Sequence, residues 1–172
     1  MLPMKAVRFQ EEQHFGVWVD VLSFTAILGT AAAQLITLSE EVNATGIALT
    51  GWAAFWGIIL FVIANLFRVV TEVDDREIRV TFGRWFPCYR RRIPLDRVRG
   101  ARVVTYRPIR DAGGWGIRWG RFEGHRCAFL NASGNRGVLL ELDDGRWLII
   151  GSGLPEALCG ALRSGPLGPA QL

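Results

Sequence analysis

The stretch from Tyr106 to Trp119 concentrates the residues best suited to binding: Arg107, Arg110, Trp115, Arg118 and Trp119. Arginine offers a planar, permanently charged fork for carboxylate or phosphate, and tryptophan a large rigid apolar face. A basic aromatic loop of this kind suits the headgroup layer of an anionic lipid surface. The plainer account of Gly113-Gly114-Trp115-Gly116 is a tight bend with the indole packed inward, the glycines supplying positive φ or close backbone approach. A second run, Asn131 to Arg136, adds Asn135 and Arg136 as binding candidates. It lacks the Gly-Lys-Ser/Thr ending and the following helix of a nucleotide loop, and Asn, Ser and Gly are also ordinary hairpin residues.

Catalysis finds no support. His125 has no Ser or Cys at a motif spacing, and Asp143 and Asp144 precede Gly145 in a tight-turn signature. Cys88, Cys127 and Cys159 form no CxxC pair, and His14 and His125 are the only histidines available to complete a metal site. Unpaired, buried thiols in a reducing compartment fit this spacing better. The expectation is a protein that is not an enzyme and carries no cofactor and no metal.

Charge divides the chain. From Thr71 onward there are 17 Arg against 11 Asp and Glu, net +6, whereas the first seventy residues come to −2. A basic domain beside a bilayer suits an anionic lipid surface. Arg and aromatics alone do not make a nucleic-acid interface, so no nucleic-acid partner is expected.

Two kinds of element must position these candidates. The first is a pair of apolar runs, Val17 to Leu38 and Gly46 to Val70. Each exceeds the roughly 20 residues that cross about 30 Å of hydrocarbon. They predict two transmembrane helices in a tight hairpin, over 17–38 and 46–70. The connecting loop, Ser39 to Thr45, is acidic and free of Lys and Arg, while Lys5, Arg8, Arg68, Arg76 and Arg79 flank the hairpin. The positive-inside rule then places both termini in the cytoplasm of a multi-pass cell-membrane protein. Asp20 and Arg68 fall near one interface and are expected to pair there. Small residues such as Gly29, Ala32, Ala53 and Gly57 permit self-association into a homo-oligomer.

The second is a set of short strands. Ile78, Val80 and Phe82 alternate with Arg79 and Thr81, the period of a half-buried strand. Further strands are predicted over 85–93, 99–105, 115–119, 127–131, 136–142 and 146–150, with a loop at 106–114. Leu154, Leu158 and Leu162 share one face of a final helix that starts near Pro155. The organisation read from the chain is an N-terminal segment with two helices (1–70), a β domain (71–163) and a flexible tail (164–172).

Several blocks in order carry a resemblance: Tyr106 to Arg110, Gly113 to Arg118, Asn131 to Val138, Asp144-Gly145, Ile150 to Ser152, and Pro155-Glu156. Over Thr71 to Leu162 the chain resembles the bacterial pleckstrin-homology-like membrane proteins, in which a two-helix anchor precedes the domain. That family is largely without assigned biochemistry. The resemblance implies an α+β chain: a transmembrane hairpin followed by an open β-barrel or sandwich with a C-terminal capping helix. Phosphoinositide recognition does not carry over, because Asp74 and Asp75 occupy the first hairpin turn and would repel a phosphorylated headgroup. The expected function is a membrane-anchored, non-catalytic interaction module that binds a protein or peptide at the cytoplasmic face of the lipid bilayer. The alternatives are an anionic-lipid surface reader using the Arg/Trp loop, and an accessory subunit of an enzyme or transporter.

Overall fold

The structure is a computed structural model that describes residues 7–40, 46–66, 68–83 and 85–163, without the side chains of 17–20, 38–40, 46–48 and 66. Strand pairing begins before the first helix. β1 (Phe9–His14) pairs antiparallel with β2 (Arg68–Val73), and α1 (Val17–Glu40) and α2 (Gly46–Leu66) are inserted between these two adjacent strands. Charged and polar residues dominate Phe-Gln-Glu-Glu-Gln-His, so propensity hides β1; only Phe9 and Gln13 are buried. β3 (Glu77–Phe82) and β4 (Tyr89–Pro94) complete a sheet in the order β1-β2-β3-β4.

A second sheet follows the 3-10 turn Leu95–Arg97: β5 (Val98–Thr105), β6 (Gly116–Phe122), β7 (His125–Asn131), β8 (Arg136–Leu142) and β9 (Trp147–Gly151), in the order β5-β8-β9-β7-β6. The chain closes with α3 (Pro155–Arg163). The β7–β9 pair is parallel and every other pair antiparallel, so this sheet is not an up-and-down meander.

The second sheet is buried on both faces. One face contributes Val138, Leu140, Leu148 and Ile150 to a core shared with Val73, Ile78 and Val80 of the first sheet, and α3 adds Leu158, Cys159 and Leu162. The other face presents Phe129, Leu139 and Ile149 to Val104, Tyr106 and Ala112. Burial on two faces explains why β8 and β9 read as continuous apolar runs rather than alternating ones. Each fully buried Leu, Ile or Phe stabilises the fold by about 1.5–3 kcal/mol relative to exposure.

Several sequence expectations are corrected. Among the described residues, no helix is long and apolar enough to cross a membrane. The fold is α+β with two sheets; the transmembrane hairpin, the cell-membrane and multi-pass placement and the cytoplasmic assignment of the termini and the β domain are set aside on this finding. The helices touch through Trp56, whose Nε1 donates to Gln34 Oε1 at 3.1 Å. They leave Leu22, Leu28, Phe55, Ile58 and Phe61 exposed.

The second helix ends at Leu66, and Arg68 to Val70 belong to β2, where Val69, Thr71 and Val73 point into the core. Strand structure at 85–88 is absent because Asn65 captures that backbone. Its Oδ1 accepts from the N–H of Trp85 (2.9 Å) and Phe86 (3.1 Å), and its Nδ2 donates to Phe86 O (2.5 Å). Trp85 also stacks on Phe61, with ring centroids 5.6 Å apart. The tail 164–172, the side chain of Asp20 and most of the acidic loop lie outside the described residues.

Candidate functional site

The site is built by the β6–β7 hairpin. Its two-residue turn, Glu123-Gly124, has positive φ at both positions (50° and 83°), the geometry that matches the twist of paired strands. Residues opposed across an antiparallel pair share a face. Ile117 opposes Leu130, Trp119 opposes Ala128 and Arg121 opposes Arg126. Leu130 lies in the core between the sheets, so Trp119, Arg121 and Arg126 continue that same face beyond the point where the core is filled. Arg91 stands across on β4, opposite the buried Val80.

The result is a groove of about 880 Å³. Ala128, Leu142 and Leu148 form an apolar floor, and Trp119 stands beside it, 75 % exposed. Arg91, Arg121, Arg126 and Arg146 ring it, and Arg110 and Asp111 form a second rim. That rim belongs to a π-helical turn, Pro108–Ala112, where sequence reading expects only loop. Gly120 lets the turn settle on β6: a Cβ there would lie 1.9 Å from the backbone oxygen of Asp111.

Five guanidinium groups face one carboxylate in this lining. Two of the five are partly neutralised. Arg146 pairs with Asp144 at 2.6 Å, and Arg110 pairs with Asp111 at 3.2 Å. Arg91, Arg121 and Arg126 have no carboxylate partner among the described residues. Arginine cannot shed its proton, so these charges stand unsatisfied except by solvent or a ligand.

The acidic turn at 143–145 is tied to arginines, Asp143 to Arg97 and Asp144 to Arg97 and Arg146. The hydrogen bond from Arg146 holds the Asp144 carboxyl well below the usual range, and the bond from Arg97 lowers that of Asp143. His125 stacks on Trp147 with centroids 4.1 Å apart. Among the described residues, no three of His, Cys, Asp or Glu come together as a metal site.

The residues singled out in the sequence separate into three places. Arg110 and Trp119 line the groove. Trp115 is half-buried; its Nε1 donates to Gly134 O at 3.1 Å, and its own carbonyl accepts from Arg118 Nε at 3.1 Å. Arg107 is exposed, and its backbone N–H donates to Asp111 Oδ2 at 2.8 Å. Asn135 and Arg136 line a separate cleft of about 370 Å³ beside Ser133 and Ser152, where Arg136 pairs with Glu156. The 106–116 and 131–136 segments are nonetheless fastened together: the N–H of Tyr106 donates to Asn135 O at 2.8 Å, and that of Gly116 to Asn131 Oδ1 at 3.0 Å. Arg68 pairs with Glu12 at 3.1 Å and lies 5.2 Å from the ring centre of Trp85. Sequence reading misses Arg91, Arg121, Arg126 and Arg146. The available signal is the even spacing of Trp119 and Arg121 along one strand face, which becomes readable once Glu123-Gly124 is taken as a hairpin turn.

Cys127 lies under this hairpin, and burial pushes its thiol up to about 12. A thiol with so little thiolate at neutral pH is a poor nucleophile. Cys88 is exposed, whereas Cys159 is buried in the core between the sheets. Titration of the native chain with a disulfide reagent at pH 8 is expected to show one fast thiol, with the other two reacting only on unfolding. Fast reaction of two thiols would contradict the packing around Cys127.

No protein-family model matches the chain, and neither a curated protein nor a solved structure does.

Proposed function

We propose that the chain is a non-catalytic binding module whose Arg/Trp groove captures an acidic segment of a protein partner. The observation that carries this reading is the juxtaposition of unpaired Arg91, Arg121 and Arg126 with an exposed Trp119 over an apolar floor. Charge alone suits any anion. An apolar floor and an indole add affinity only for a ligand with apolar side chains among its acids. Carboxylates match the guanidinium fork through paired hydrogen bonds.

A direct test is fluorescence titration of the full chain with a labelled heptapeptide, acetyl-Thr-Leu-Thr-Glu-Thr-Glu-Thr-amide, against the same peptide with Lys for Glu. Binding of the acidic peptide only is expected, weakening as salt rises. A charge-assisted hydrogen bond contributes about 1.5–3 kcal/mol, so the Arg121→Ala/Arg126→Ala double variant should weaken binding by at least about 10-fold. Equal binding by the double variant, or binding to phosphatidylglycerol vesicles with no binding of peptide, would overturn the reading.

A further inference from the structure

We infer that the acidic segment binds as an added β-strand on the free edge of β6, with alternate side chains entering the groove. The inference rests on the binding-module reading above and specifies the form that the ligand takes.

The two sheets have four edge strands, β1, β4, β5 and β6. Edge strands that must not recruit another chain carry proline, bulges, covering elements or charges pointing inward. β4 ends in Pro94. β5 has a break in register between Val98 and Gly100, and α3 packs against it. β1 is touched by α3 and carries Glu11 and Glu12. β6 has seven residues, no proline and an unbroken register with β7. Among the described residues, the backbone of β6 makes no hydrogen bond to a segment other than β7, apart from Gly116 N–H to the Asn131 side chain. The Pro108–Ala112 turn rests on the face of β6 at Gly120.

Geometry then dictates the ligand's pattern. A strand added to β6 would lie about 4.8 Å away, with every second side chain on the groove face. On that face β6 presents Ile117, Trp119 and Arg121, with Arg126 next to Arg121 across the hairpin. A groove-facing residue beside Trp119 is therefore apolar. The next groove-facing residue, two positions on, is Asp or Glu beside Arg121 and Arg126. The residues between face outward and carry little specificity. The recognised segment is extended, with one apolar and one acidic residue two apart.

The heptapeptide above has that pattern, and backbone N-methylation tests the mode. Two versions carry N-methyl groups on alternate amides, one set on the odd positions and one on the even, with side chains unchanged. Edge pairing predicts that one set loses at least about 10-fold in affinity, because its amides face β6, while the other binds within about 3-fold of the parent. Trp119→Ala should weaken the parent peptide but not change which set is tolerated. If both methylated sets bind like the parent, the groove holds side chains only: strand addition is overturned and the binding-module reading stands. If the unmethylated peptide fails to bind at all, both are overturned.

Discussion

Gly120→Val is expected to cost about 3 kcal/mol or more, lowering the melting temperature by roughly 6–12 °C. A Cβ at this position would meet the backbone of Asp111 at 1.9 and 2.9 Å and the Ala112 Cα at 3.1 Å. These are main-chain atoms of a turn pinned by its own hydrogen bonds, Asp111 N–H to Arg107 O and Gly113 N–H to Ile109 O. No flexible side chain can give way, so the turn must lift off the strand. Lifting it also moves Arg110 and Asp111, one rim of the groove, so acidic-peptide binding should fall together with stability. Gly100→Ala is the control: its Cβ would meet only the Glu141 side chain, at 3.6 Å and beyond, and the melting temperature should barely change. Equal melting of Gly120→Val and the parent chain would mean that the 108–112 turn does not rest on β6.

Asn131→Ala is expected to destabilise the chain by roughly 2–4 kcal/mol, because two buried polar groups lose their partner at about 1–3 kcal/mol each. Asn131 is fully buried. Its Nδ2 donates to the Tyr106 hydroxyl at 3.1 Å, and its Oδ1 accepts from the N–H of Gly116. Tyr106 is itself 1 % exposed, packed on Phe129 at 5.7 Å between ring centres. The pair thus seals the second core and holds the start of β6. In a Tyr106→Phe background, Asn131→Ala should cost less by about 1 kcal/mol, since the shared bond is already gone. Strict additivity of the two changes would show that the bond contributes nothing. Burial also raises the Tyr106 phenol above its ordinary value, with the Asn131 bond pulling the other way. A raised folded-state value stabilises below the unfolded-state pKa of about 10 and is lost as pH climbs past it. Chemical denaturation between pH 8 and 11 should show a smaller loss in Tyr106→Phe than in the parent chain, the remainder coming from the Cys127 thiol, which burial also raises.

Much of the β region is legible without coordinates. Alternation marks β3, because Ile78, Val80 and Phe82 all point into one core. The Asp143-Asp144-Gly145 turn is visible from its residues, with Gly145 at φ 76°. Leu158 and Leu162 announce the buried face of α3. The helices are legible as apolar runs but not as membrane spans: among the described residues, no helix is long and apolar enough to cross a membrane. β1 is illegible because a strand can be held by its neighbour's hydrogen bonds with few apolar residues of its own.

The candidate site divides along the same line. Residue types determine that this chain carries a surplus of arginine after Thr71, with tryptophan interleaved. Local pattern also determines that Gly113 to Gly116 must bend, and three of those four positions adopt positive φ except Trp115. Which arginines converge is a matter of tertiary structure. Arg91, Arg121, Arg126 and Arg146 come from four different strands or their ends, and only strand order and register bring them to one opening. Whether an arginine is free is decided the same way. Arg97 and Arg146 are tied to the 143–144 turn and Arg136 to Glu156, while Arg121 and Arg126 oppose one another with no acid between them. Composition counts charges, but pairing depends on distances of a few ångströms, and those are set by packing between elements far apart in the chain.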